Sequence, residues 1–118
     1  MPKIKTFAAA CKAVGANPKD FELPADADAV ERSINAYRKL VKVIVPALNE
    51  GWVADFADAS QRKYYPWFYN YRAGSGFSFT DFVDSNANTC VGSRLCFKSA
   101  DLATYAGTQF IDIYNEYL

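Results

Sequence analysis

The strongest chemical signal in this chain lies between Arg62 and Arg72. There the cations Arg62, Lys63 and Arg72 are interleaved with Tyr64, Tyr65, Trp67, Phe68, Tyr69 and Tyr71. Flat rings beside fixed positive charges stack the bases and hold the phosphates of single strands, and they equally anchor protein partners. On an extended strand, alternation sends Tyr64 and Phe68 to one face and Tyr65, Trp67 and Tyr69 to the other. A sheet covered on one side needs only one of these sets for its core. The sequence leaves open which set is buried. The stretch Ser93 to Lys98 adds a second strand-like pattern, with Leu95 and Phe97 pointing one way and Arg94, Cys96 and Lys98 the other. Tyr65, Trp67, Tyr69, Arg94 and Lys98 are therefore the candidate binding surface. The plainer reading of the same residues is an aromatic edge strand with a solvated face.

Other chemistry finds less support. Asp55, Asp58, Asp81, Asp84 and Asp101 could pair for acid-base or magnesium work, but each reads more simply as a loop residue, turn former or first-turn helix residue. Gly74-Ser75-Gly76 lacks the following lysine and helix start of a phosphate loop, and Ser93 lacks the glycine pattern of a nucleophile elbow. The chain contains no histidine, which removes Ser-His and Cys-His nucleophile pairs and histidine-containing zinc sets. Cys11, Cys90 and Cys96 cannot all pair within one chain, and their spacing fits neither zinc nor redox motifs, so reduced thiols are expected. No cofactor or metal is implied. Thirteen basic residues balance thirteen acidic ones, so no overall field draws the protein onto nucleic acid or anionic lipid.

The elements that must position these residues follow from periodicity. At 118 residues, one domain over 1-118 is expected. The longest apolar run, Val41 to Leu48, is broken by Lys42 and Pro46, and the amino terminus is too short and polar for a secretory signal. A soluble, cytoplasmic protein follows. Phe7, Ala10, Cys11 and Val14 lie on one helical face, with Thr6 to cap it and Gly15 to end it. Phe21 and Leu23 should pin a proline-rich connector to the core. A long helix opening at Asp26 or Asp28 carries an apolar stripe of Val30, Ile34, Tyr37, Val41, Ile44 and Leu48, with a kink or early stop at Pro46 and a cap at Gly51. Strands are read at Lys63 to Tyr69, with Pro66 marking an edge, at Phe77 to Val83, and at Ser93 to Lys98. Ser99 caps a last helix lined by Leu102, Tyr105, Ala106, Phe110, Ile113 and Tyr117. The expected fold is α+β in the order α-α-β-β-β-α. Its sheet is a three-stranded antiparallel meander, with helices packed mainly on the face bearing Phe77, Phe79, Leu95 and Phe97.

Four blocks in order, Leu48 to Trp52, Lys63 to Phe68, Val91 to Ser99 and Tyr105 to Phe110, resemble a family of small uncharacterised proteins encoded by phages, prophages and mobile elements of gut Bacteroidales. The resemblance runs over Leu48 to Leu118. It implies a cellular setting and carries over no catalytic residue. The function expected from the sequence is a non-enzymatic interaction module of phage or mobile-element origin. It would bind a protein partner through an exposed aromatic and basic sheet face, with a single-stranded nucleic-acid accessory protein as the alternative.

Overall fold

The computed structural model describes residues 4–53, 55, 57–58, 60–69, 78–85 and 95–117. Helices account for most of it. Helix α1 (Phe7–Val14) begins at Thr6, whose hydroxyl accepts a bond from the Ala9 amide, and ends at Gly15 in the left-handed region at φ 73°. A 3-10 turn, Pro18–Phe21, follows. Asp28 then caps α2 (Ala29–Lys39) by accepting the Glu31 amide at 2.8 Å. Among the described residues no helix is long and apolar enough to cross a membrane.

The long helix does not stop at Pro46. Leu40–Ile44 forms a π-helical turn, in which the Val45 amide bonds the Leu40 carbonyl five residues back, and α3 (Val45–Asn49) continues from it. Proline has no N–H for the carbonyl four residues earlier, and its ring clashes there. One wide turn places Pro46 at the start of a fresh α-helical turn, where that donor is not required. The wide turn also changes which residues are buried. Ala36, Leu40, Ile44 and Leu48, spaced by four, form the inner stripe. Val30 and Ile34, read from the sequence as core, stand outside at 66% and 58% exposure. A spacing of four drifts around an ideal helix of 3.6 residues per turn, and the π turn holds it on one face. Glu50 rather than Gly51 takes the first left-handed position after α3, at φ 51°, with Gly51 next at φ 91°.

The three-stranded meander is not what forms. Strands β1 (Lys63–Tyr69) and β2 (Ser78–Ser85) make a two-stranded antiparallel ribbon, in which Thr80 is an extra residue on β2 between the Trp67 and Phe68 pairings. The third segment meets β1 only at an isolated bridge between Tyr64 and Phe97. The reason lies at Pro66. Tyr64 donates to and accepts from Phe97 at 3.0 and 2.6 Å, so its backbone groups face the edge away from β2. Backbone groups along a strand alternate sides, and the next donor toward that edge belongs to residue 66. Proline has none. Leu95 instead sits in a tight helical turn. The expected turn at Ala73 to Gly76 and the residues Phe77, Cys90, Ser93 and Arg94 lie outside the described residues.

The expected layering changes with it. The core is helix on helix, joining Ala10 and Cys11 of α1, Leu40 to Leu48, and Leu102, Ala103, Ala106, Phe110 and Tyr114 of the last helices, with Leu95 and Phe97 inserted among them. Ser99 caps α4 (Ala100–Gln109) by accepting the Leu102 amide, and α4 lies against both strands of the ribbon. The single last helix expected from the sequence is two. It breaks at Phe110 before α5 (Ile111–Tyr117), just past Thr108, whose hydroxyl donates to the Thr104 and Tyr105 carbonyls and so bends the turn. Phe21 is buried edge-to-face against Phe7 and held by the Asn35 amide, which donates to its carbonyl at 2.7 Å. Leu23 does not join it and is 39% exposed.

Candidate functional site

Tyr65, Trp67 and Tyr69 stand on β1 opposite Val83, Asp81 and Ser78 of β2. Arg94 lies outside the described residues, and Lys98 is exposed. Two neighbours of the candidate surface are inside. Cys96 is buried, because the Leu95 to Phe97 segment is not held in a ladder and does not alternate, so all three of these side chains face inward. Lys63 is 1% exposed. Its ammonium donates to the Asp58 carbonyl at 3.3 Å and the Gln61 carbonyl at 3.0 Å, so backbone oxygens of the preceding loop offset the loss of water around the charge. The basic and aromatic patch is thus partly structural.

The backbone of Phe97 is gripped from both sides. Tyr64 pairs with its N–H and carbonyl, while across from it the Asn49 side chain donates to the Cys96 carbonyl and accepts the Lys98 amide, each at 3.0 Å. Asn49 is buried at the end of α3 and does what a neighbouring strand would do, presenting one donor and one acceptor in register. This fixes the segment that leads into α4. Nothing local in the sequence marks it, since Asn49 and Cys96 are 47 residues apart.

Of the groups weighed for chemistry, Asp55, Asp58 and Asp101 have structural roles, and the side chains of Asp81 and Asp84 lie outside what is described. Asp55 accepts the Ala57 amide, and Asp58 accepts the amide and hydroxyl of Ser60, both as turn formers. The Ser60 bonds hold the Asp58 carboxyl below its ordinary range. Asp101 lies in the first turn of α4, where the helix dipole favours a negative charge. Cys11 and Cys96 are buried; burial pushes the Cys11 thiol up, with Lys39 opposing, so it is poorly nucleophilic. Burial likewise pushes the Tyr114 hydroxyl up, and it stays protonated at any ordinary pH.

The exposed apolar surface is elsewhere. Leu23 from the connector and Ile34 from α2 border one shallow groove of about 320 Å³, with Glu31 and Arg38 beside them. Val30, one turn before Ile34, is also exposed. The Arg38 guanidinium is held in place by the Phe21 ring, 5.1 Å from its centroid, and by the side-chain oxygen of Asn35, which accepts from it at 3.4 Å.

No family model, curated protein or solved structure matches the chain.

The function is accordingly read from the surface itself. The sequence carried one signal for this site. Ala36, Leu40, Ile44 and Leu48 offered a second apolar stripe, and with that stripe inside, Val30 and Ile34 must face out.

Proposed function

We propose that this protein is a non-enzymatic interaction module whose partner is another protein, engaged through the outer face of α2. The observation that carries this reading is the exposure of Val30, Ile34 and Leu23 together on one surface. Large apolar side chains left in water as a group are costly, and on a small domain they mark contact surfaces. The ribbon face is the weaker site, because Lys63 and Cys96 beside it are buried. Single-stranded nucleic acid is the weaker partner class for the same reason. A cytoplasmic location is in keeping with the free, buried thiol of Cys11, and an origin in a phage or mobile element rests on the sequence resemblance.

Replacing Ile34 by Asp tests the reading with little risk to the fold, since the side chain lies mostly in water. Chemical cross-linking in intact cells, before any dilution, should show wild type in an adduct larger than the monomer and Ile34→Asp as a monomer, with the circular dichroism of the purified variant unchanged. A wild type that gives no adduct, or a variant that gives the same one, contradicts the proposal.

A further inference from the structure

We infer that the partner on the α2 face is a second copy of this chain, docked antiparallel, with Ile34 at the dyad and each Glu31 facing Arg38 of the partner subunit. The inference rests on the protein-contact reading and names its occupant.

Charge placement argues for it. Glu31 and Arg38 are seven residues apart, close to two full helical turns, so they stand on the same flank of α2, about 10.5 Å apart along its axis. That separation is too long for them to pair within one helix. Among the described residues Glu31 forms no ion pair. A two-fold axis midway between them, beside Ile34, exchanges the two positions and lays Glu31 against Arg38 twice. Parallel docking leaves each Glu31 about 10.5 Å along the axis from Arg38 of the partner subunit. The ends of the helix agree with this. Asp26, Asp28 and Glu31 lie toward its amino end and Arg38 and Lys42 toward its carboxyl end, while Lys39 pairs with Glu116 and Arg32 is tied to the Ala27 carbonyl. Arg38 is already positioned by Phe21 and Asn35 and has donors left over.

The apolar part of the contact is small, being Ile34 and Val30 with Leu23 at the side. A stable complex buries roughly 800 Å² per partner, and one face of a helix this short offers less, so the dimer is reversible with a Kd on the order of 100 μM.

Sedimentation equilibrium of the full chain from about 10 μM to about 1 mM reads this directly. Wild type should self-associate. Glu31→Arg alone and Arg38→Glu alone should each weaken association roughly tenfold, because the dyad makes both pairs repulsive. The two together should restore it to within about threefold, since the same pairs re-form with signs exchanged. Because Arg38 also packs on Phe21, Ile34→Asp serves as a second disrupting variant that leaves the core alone. A wild type monomeric throughout, or a double variant no tighter than the single ones, overturns the inference. A wild type monomeric in sedimentation that still gives a larger cross-linked adduct in cells overturns the second-copy assignment alone, whereas a monomer in both settings overturns the protein-contact reading as well.

Discussion

Asn49→Asp is expected to lower the stability of the fold by about 3 kcal/mol or more at neutral pH. The substitution keeps the shape of the side chain and the acceptor for the Lys98 amide, but it removes the donor to the Cys96 carbonyl and sets a charged oxygen against it. Both groups are buried, so water cannot compensate. In a domain of this size such a loss lowers Tm by roughly 10 °C or more. The pH dependence identifies the cause. Burial beside a carbonyl raises the folded-state pKa of the new carboxyl above its unfolded value of about 3.9, and the protonated acid can donate to Cys96. The deficit should therefore shrink as pH falls below the raised value and be full above it. Thermal melts of wild type and variant at a series of pH values measure this; a pH-independent difference under about 1 kcal/mol shows that Asn49 does not hold the Phe97 segment.

Phe97→Ala should cost still more, about 3–5 kcal/mol. The ring is fully buried among the helices, at 0% exposure. The surrounding structure cannot easily close on the space left behind, because the backbone at this position is held by Tyr64 on one edge and Asn49 on the other. Urea denaturation should show a lower midpoint with little change in slope. A loss smaller than about 1.5 kcal/mol places the ring outside the core.

What the sequence shows depends on how local the cause is. Thr6, Gly15, Asp28 and Ser99 act within one turn of their own positions, and each cap falls where residue type and spacing put it. The stripe read along the long helix holds at Ile44 and Leu48, which are buried, and at Tyr37 and Val41, which pack against the core. It fails at Val30 and Ile34, because periodicity assumes an α-helix throughout, whereas with the π turn Ala36 and Leu40 take the buried face. Pro66 was legible as an edge residue. Its consequence for the third strand depends on which edge its missing donor faces, and that is set by the bridge between Tyr64 and Phe97, two residues far apart in the chain. The Asn49 grip and the burial of Lys63 are long-range or loop-dependent, and side-chain type alone points the other way for both. The candidate surface is displaced for the same reason. Aromatic and basic residues on β1 and at Lys98 announce themselves by composition, whereas Val30 and Ile34 look like core until the phase of the helix is known.

The central claim is that the outer face of α2 contacts another polypeptide, and photo-crosslinking inside cells tests it most directly. A benzophenone amino acid is placed at position 34, with position 104 on the exposed side of α4 as the control. One discrete adduct with a single polypeptide is predicted from position 34 and none from position 104, and mass spectrometry should identify that polypeptide as a second copy of the chain. No adduct at position 34, or the same adducts from both positions, contradicts the account.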